Sequence, residues 1–256
     1  MILDQVKEAY VKDLLSKGKR ADGRKLDEYR RINVEKALYT NSEGSAIAHL
    51  GDTKVLAAVK FDVLTPFADR PNEGVVMCNA EFSPIAHPDF EPGPPDERSI
   101  ELARVVDRGI RSANVVDAKK LFRSEGKVLG VFIDLYTLDH TGNLTDAAAL
   151  AAMAALKTAK VPKYEDEKLV RGEYAGKLEL NNTVVTTTFE KVGGKLLVDA
   201  TNEEEVASEG RFTIATAEDN KVAACQKSGK AGFSEQEFMD MIDVALQKHG
   251  ELVQKI

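Results

Sequence analysis

The spacing of apolar residues changes along the chain between helical and strand-like periods, and it predicts most of the elements. Residues 3–17 place apolar side chains at helical intervals and end at Gly18, which predicts an amphipathic helix with a glycine stop. The β-like runs SAIAHL, KVLAAVKF and GVVMCNAEF follow, with the turn GDT between the first two. The first part of the chain is therefore predicted to form one helix and then a β-sheet.

The middle of the chain predicts a proline-rich loop, a helix, and a strand that leads into a second helix. Residues 83–96 hold most of the prolines, and proline removes a backbone donor and fixes φ, so we expect an extended surface loop. A helix is predicted from about Asp96 to Ala113. Residues 128–138 predict a strand that ends in a glycine-containing turn, and an alanine-rich helix begins around Asp146.

A second β-rich region and a closing helix are predicted after a charged segment. The segment VPKYEDEKLVRGE is interpreted as a linker, and KLELNNTVVTTTFEKVGGKLLVDA and GRFTIATAEDNKVAACQ predict strands. Ser234 and Glu237 match a capping box at the start of a helix over residues 234–249. The units AHLGDTKVLAAV and IATAEDNKVAAC are similar, which indicates either a duplicated unit or two hairpins with the same turn chemistry.

Composition and charge restrict the class of protein. The 256 residues are 43% hydrophobic and 30% charged, enough for one large core or two small ones. No apolar stretch reaches the length of a membrane span, and the N-terminal residues lack the apolar segment of a signal peptide, so we expect a cytoplasmic protein. The net charge of −7 argues against a protein that coats nucleic acid over its whole surface and leaves local basic patches for such contacts.

Neither the cysteines and histidines nor the acidic segment predicts a metal site. Cys78 and Cys225 lie far apart and the four histidines are scattered, so no ligand set has zinc-binding spacing. Carboxylates in DATNEEEVASEGR, which starts at Asp199, are of the kind that holds Mg²⁺, but their spacing is unspecific and equally suits a polar loop. Arg211 at the end of the segment would compete with a metal for these carboxylates.

The stretch DHTGNLTD, residues 139–146, begins as a phosphate-binding loop would. Helix N-termini attract anions through their free N–H groups and the helix dipole. The loop has no Lys or Arg, however, and we expect Asp146 to lie where it would fill or repel the anion position. Asn143 or Thr145 as an ordinary helix cap explains the loop equally well, so a structural role is favoured.

The helix DERSIELARVVDRGIRSA carries three arginines on one face at i, i+4 and i+7, namely Arg104, Arg108 and Arg111. The apolar residues expected to be buried on the opposite face are Leu102, Val105, Val106 and Ile110. A row of guanidinium groups suits successive phosphates of a single strand. The alternative is a solvated face paired with Glu101 and Asp107, which is the commoner role of a charged row.

These motifs, in this order, resemble one family. The chain is similar to the non-catalytic RNase PH-like subunit of the archaeal exosome, a member of the RNase PH family. The similarity spans nearly the whole chain and rests on RADGRKLDEYR, GDTKVLAAV, RSIELARVVDRGIR and LVDATNEEE. It implies an α+β, RNase PH-like fold of two β-rich halves with covering helices: an N-terminal helix over residues 1–20, a first half over 21–162 and a second half over 163–256.

The chain departs from the catalytic members of that family at two places. Those members carry a Gly-Gly-Ser/Thr-Arg loop for phosphate, whereas the matching residues here are Gly142-Asn143-Leu144-Thr145. They also place two aspartates after the acidic strand end, where this chain has Glu205 and Arg211. Losing one such contact typically costs orders of magnitude in rate, so we expect no catalytic residues here, with Asp146 supplying the negative charge at the helix start.

The resemblance implies a role inside a complex. The chain would pair with a catalytic RNase PH-like subunit in a hexameric ring of three such pairs, and it would meet RNA-binding cap proteins and single-stranded RNA but no membrane. The partner would use phosphate and Mg²⁺ to cleave RNA from its 3′ end, while this chain would bind no cofactor.

For RNA contact, Arg104 and Arg108 are expected first, with Arg111 and Arg98 behind them. Two alternatives stay open. The first is an active phosphate-dependent exoribonuclease that uses Glu205, Asp199 or other acids in an altered centre. The second is a structural ring subunit whose arginines are only solvated.

Overall fold

The computed structural model describes residues 2–256, with side chains described from residue 5 onward, and over this range the chain forms five α-helices and twelve β-strands. The helices are α1 (Ile2–Ser16), α2 (Glu97–Ser112), α3 (Leu144–Thr158), α4 (Asn202–Val206) and α5 (Glu235–Val253). The strands are β1 (Ile32–Lys36), β2 (Gly44–Leu50), β3 (Thr53–Leu64), β4 (Val75–Phe82), β5 (Phe122–Ser124), β6 (Lys127–Asp139), β7 (Lys160–Glu165), β8 (Lys168–Lys177), β9 (Val184–Val192), β10 (Lys195–Val198), β11 (Gly210–Ala217) and β12 (Lys221–Gly229). This mixture of sheets and helices confirms the predicted α+β class.

The first sheet has the strand order β1-β2-β3-β6-β4, and β5 pairs with β6. Its pairs are antiparallel except that β4 runs parallel to β6. Along β3, Val55, Ala57, Val59 and Phe61 are buried in strict alternation, as expected when one face of a strand covers the core. The strands predicted from the first half of the sequence are therefore confirmed.

The second sheet is antiparallel throughout, with the order β10-β9-β11-β12. Helix α5 covers β9 and β11, and its Ser234–Glu237 capping box forms as predicted, although the helix runs on to Val253. The two similar sequence units are both hairpins, β2–β3 in the first sheet and β11–β12 at the edge of the second.

Helix α3 lies between the two sheets and contacts β2, β3 and β9. All its residues from 144 to 156 are buried, because its many alanines allow both sheets to approach closely. At Gly44 on β2, a Cβ would lie 2.4 Å from the carbonyl oxygen of Ala155, so only glycine fits there. Although most residues of α3 are apolar, no helix within residues 2–256 combines the length and apolar character that a membrane crossing requires.

The prediction of a linker over residues 161–173 is wrong, because β7 and β8 pair there as a two-stranded hairpin. Asp166 and Glu167 both adopt positive φ at its turn, which ordinarily favours Asn-Gly or Asp-Gly. With Pro162 also inside β7, the segment carries weak strand signals. The division of the chain between residues 162 and 163 falls within β7 and stays a prediction.

The prediction of a polar loop after Asp199 is also wrong in part, because α4 forms there. Thr201 and Glu204 form a capping box at its start, which satisfies backbone donors that a helix of five residues could not satisfy alone. The T-x-x-E pattern was the sequence signal for this short helix. Helix α4 places Glu205 next to the loop between β6 and α3.

Candidate functional site

The loop between β6 and α3 packs against the backbone that connects β10 to α4. Gly142 adopts φ +109°, and a Cβ there would lie 2.3 Å from the carbonyl oxygen of Ala200. Asn143, at φ +51°, caps α3 because its side chain accepts a hydrogen bond from the backbone N–H of Asp146 at 3.4 Å. Of the two caps considered from the sequence, Asn143 is the one used.

Side chains of the same protein occupy the polar groups of this loop. The Arg30 guanidinium donates to the carbonyl oxygens of Thr141 and Gly142 at 3.1 and 3.0 Å. The backbone N–H of Asn143 donates to Glu205 Oε1 at 2.8 Å. An anion at the start of α3 would draw on this N–H, so the Glu205 carboxylate already serves as the local anion.

Asp146 does not face this opening, which corrects the prediction that it fills the anion position. Its side chain is fully buried and accepts hydrogen bonds from the Tyr29 hydroxyl at 2.9 Å, the Thr186 hydroxyl at 2.8 Å and the Thr188 N–H at 3.0 Å. Burial raises the pKa of the Asp146 carboxyl, because its charged form loses water. The residue therefore ties α3 to β9, while Glu205 provides the charge at the helix start.

Arg211 joins two carboxylates beside the loop. Its Nη2 donates to Glu205 Oε1 at 2.9 Å, and its Nε bonds to Glu190 on β9. The Glu190 side chain is only 3% exposed, and burial raises its pKa although the Arg211 charge opposes that shift. Sequence reasoning does not identify Glu190; its only signal is a lone acid in the otherwise buried run VVTTTFEK.

The Glu190–Arg211–Glu205 group does not suit a divalent cation. The guanidinium lies between the two carboxylates, where a metal would need their lone pairs. In the part of the chain with described side chains, residues 5–256, no three acidic, histidine or cysteine side chains group in a way that could hold a metal ion.

The N-terminal motif RADGRKLDEYR holds two further acids of the DATNEEE segment. Arg20 donates to both carboxylate oxygens of Glu204 at 2.8 and 2.7 Å. Arg24 and Arg30 pair with Asp199 at 3.0 and 2.7 Å, and Asp199 is completely buried. These acids stabilise the junction of the two halves, so the segment is not a single acidic cluster.

The loop between β6 and α3 and the Glu205–Arg211 pair border one cavity of 210 Å³, which we call the altered site; its lining includes Leu144, Thr145, Glu205 and Arg211. On another side, the ring of His140 stacks on Phe90 with centroids 5.5 Å apart. Burial lowers the pKa of His140, although Glu205 opposes that shift. The loop thus offers the cavity an apolar and a hydroxyl side chain, and the two arginines of the lining, Arg98 and Arg211, are each paired with acids of the same chain.

The outer face of α2 differs from the altered site. Leu102, Val106 and Ile110 are buried, as predicted for the inner face. The prediction for Val105 is wrong, because it is only half-buried and borders the same surface groove as the arginines. Arg104 and Arg108 are exposed, and among residues 5–256 neither guanidinium has an acid or hydrogen-bond partner. Both arginines border a groove of 490 Å³ between α2 and β12.

The other two predicted RNA contacts are engaged within the protein. Arg111 Nε pairs with Asp107 at 2.9 Å, and its Nη2 bonds to the Val76 carbonyl oxygen. Arg98 pairs with Asp96 at 2.9 Å, and its guanidinium lies 5.3 Å from the centroid of the Phe90 ring.

Glu101 and Asp107 were the two acids expected to pair with the arginines of α2. Only Asp107 does so, because Glu101 instead accepts a hydrogen bond from Ser228. The four arginines therefore fall into a solvated pair and an internally bonded pair. Their contact with RNA stays a prediction.

Known proteins match both halves of the chain. Sequence models of the 3′ exoribonuclease family match residues 28–162 as domain 1 and residues 182–248 as domain 2. The exosome complex component Rrp42 of Thermococcus onnurineus is 44% identical over 261 residues, covering 100% of this chain and 96% of that protein. Rrp42 of Methanosarcina acetivorans is 44% identical over 252 residues, covering 98% and 93%.

Solved structures match with the same coverage. A chain of the Archaeoglobus fulgidus exosome with RNA bound to the active site superposes with a TM-score of 0.94 at 44% identity, covering 100% of this chain and 99% of that one. A chain of an archaeal exosome core gives a TM-score of 0.89 at 42% identity, covering 99% and 97%.

Proposed function

The chain belongs to the 3′ exoribonuclease family, the RNase PH family, and from this premise we propose that it is a non-catalytic, RNA-contacting subunit of an exosome core. In this proposal it pairs with a catalytic RNase PH-like subunit, and three pairs form a hexameric ring in the cytoplasm that RNA-binding cap proteins join. The partner's site uses phosphate and Mg²⁺ to shorten RNA from the 3′ end. The names of the relatives, exosome components and an RNA-bound exosome, support this assignment.

The observation that carries the non-catalytic role is the internal pairing of the altered site. The N–H at the start of α3 is bonded to Glu205, and Glu205 is bonded to Arg211, so a phosphate would have to displace both contacts. Rate acceleration in phosphate chemistry depends on preorganised donors aimed at the reacting group. Here those donors are aimed at a carboxylate of the same chain.

The solvated pair on α2 supports the RNA-contacting role. Arg104 and Arg108 lie one helical turn apart, about 6 Å along the axis, and no acid with a described side chain is bonded to either. Such a pair contacts phosphates without regard to base, and its contribution weakens as salt displaces it. The subunit would in this way hold the strand while the partner cleaves it.

The first test measures nucleoside-diphosphate release from single-stranded RNA with phosphate and Mg²⁺. We expect no release by the purified chain alone and release once the catalytic partner is added. Phosphate-dependent release by the chain alone that survives repurification would contradict the non-catalytic role and favour an active centre at Glu205.

The second test measures RNA affinity of the assembled complex at several salt concentrations. With Arg104→Glu and Arg108→Glu together we expect at least a tenfold loss of affinity, and the log–log salt slope should become shallower by about 0.7 for each lost phosphate contact. The control pair Arg70→Glu and Lys221→Glu changes two exposed residues away from α2 and should leave both quantities unchanged. An unchanged affinity and slope in the α2 variant would leave only a structural ring role.

A further inference from the structure

Within residues 5–256 Arg104 has no ion pair, although two acids of α2 lie within one helical turn of it. Glu101 comes three residues before Arg104 and Asp107 three residues after it, and side chains at this spacing meet on the surface of a helix. Arg108, by contrast, has no acid three or four residues away on either side. The availability of Arg104 therefore depends on what holds these two carboxylates.

Each of the two carboxylates is bonded to another partner. Asp107 pairs with Nε of Arg111, one turn further along α2, at 2.9 Å. Glu101 accepts a hydrogen bond from the hydroxyl of Ser228 on β12, and among the described side chains this is the only bond to its carboxylate. One acid is thus held within the helix and the other is held by a strand of the second sheet.

Ser228 holds Glu101 on the side away from Arg104. Glu101 lines both the altered site and the groove between α2 and β12. Ser228 lines the altered site and not the groove, whereas Arg104 lines the groove and not the altered site. Glu97, the other acid of the groove, comes seven residues before Arg104, outside the spacing at which side chains of one helix meet.

A released Glu101 carboxylate would compete with an RNA phosphate for Arg104. Both groups are anions that accept hydrogen bonds from the same guanidinium donors, so the ion pair would have to break before a phosphate could bind. The Ser228 hydroxyl is neutral and holds the acid without bringing another cation to it. Its bond to Glu101 therefore leaves the charge of Arg104 free.

Resting on the proposed function, we infer that Ser228 is a positioning residue for RNA binding by α2. It holds Glu101 away from Arg104 and so keeps this guanidinium open to phosphate. Arg111 does the same for Asp107, so both acids next to Arg104 are bonded elsewhere in the protein.

The first measurement needs no RNA and uses the full chain. Phenylglyoxal modifies free guanidinium groups faster than paired ones, and peptide mass spectrometry gives the rate at each arginine. We expect Ser228→Ala to lower the rate at Arg104 about twofold relative to Arg108, because ion pairs at this helical spacing are weak. Ser228→Thr keeps the hydroxyl and should keep the wild-type ratio. Adding Glu101→Gln to Ser228→Ala should restore it.

The second measurement is the affinity of the complex, assembled with the catalytic partner, for single-stranded RNA at low salt. Ser228→Ala should weaken binding about twofold, and the same substitution in the Glu101→Gln background should have no effect. The control is Ser42→Ala, because the Ser42 hydroxyl donates only to the Tyr39 carbonyl oxygen, away from α2. The urea midpoint of each variant checks that the fold is intact.

An unchanged ratio of the Arg104 and Arg108 rates in Ser228→Ala overturns the positioning role. A loss of RNA affinity that persists in the Glu101→Gln background also overturns it, because the serine would then act by another route. A lower ratio with unchanged RNA affinity overturns the link to RNA binding. Failure of the proposed function is a different result, in which the Arg104→Glu, Arg108→Glu variant keeps its RNA affinity, and the modification rates still test the position of Glu101.

Discussion

The altered site and the outer face of α2 are neighbouring surfaces that share Glu101 and Val105, yet their charged side chains differ in how they are bonded. Arg211 is bonded to two carboxylates and Glu205 is bonded to a loop amide, so those charges are satisfied inside the protein. Arg104 and Arg108 are exposed, and among residues 5–256 their guanidinium groups have no acid or hydrogen-bond partner.

This difference separates charges that hold the fold from charges that remain for a ligand. Breaking a buried pair leaves an uncompensated charge and costs several kcal/mol, whereas losing an exposed arginine hardly changes stability. Stability and RNA affinity should therefore respond to different arginines.

The largest effect is expected from the buried acid behind the loop. Asp199→Ala removes the shared partner of Arg24 and Arg30, and we expect the free energy of unfolding in urea to fall by about 3–5 kcal/mol. The control is Asp219→Ala, because Asp219 also has positive φ but is exposed in a loose pair with Lys221. Similar losses in the two variants would mean that backbone strain, and not the buried pairing, accounts for the effect.

A smaller effect on stability or on RNA affinity is expected when one arginine is replaced in the altered site and one on the outer face of α2. Arg211→Met leaves Glu190 buried without its charged partner and with only the Ser208 hydroxyl as a side-chain donor, so unfolding free energy should fall by about 2–3 kcal/mol while RNA affinity of the assembled complex stays the same. Arg108→Met should do the reverse, with stability within about 0.5 kcal/mol of wild type and weaker RNA binding. If Arg211→Met lowered RNA affinity at intact stability, the separation of the two regions would be wrong.

The smallest effect concerns His140 in the altered site, whose pKa burial lowers. The unfolded chain then takes up a proton near pH 6.5 before the folded chain does, so stability is lost as pH falls from about 6.5 toward the folded pKa. We expect His140→Gln to flatten this decline in urea unfolding curves, measured against pH 8, where the histidine is neutral in both states. His249, whose pKa burial also lowers, keeps part of the decline in the variant. An identical decline in wild type and variant would show that His140 has no part in it.

The sequence by itself was enough for the elements with strong periodic patterns. Alternation in KVLAAVKF, the alanine run after Asp146 and the Ser234 capping box each have a local cause, and each formed as predicted. The family resemblance also located the altered site, because it depends on residue identity at matched positions. Elements with weak sequence signals were not predicted. The turn at Asp166-Glu167 lacks glycine, so the β7–β8 hairpin was mistaken for a linker.

Only the tertiary structure decided which charge pairs with which. Asp146 and Glu205 are both acids near the start of α3, yet one points to β9 and the other bonds the loop N–H. Likewise, the four arginines of α2 look alike in sequence, and their division follows from the approach of Val76 and the Phe90 ring. Pairing depends on distances between segments far apart in the chain, and a shift of a few ångströms changes which group a carboxylate bonds. Periodicity and composition therefore do not predict the pairing.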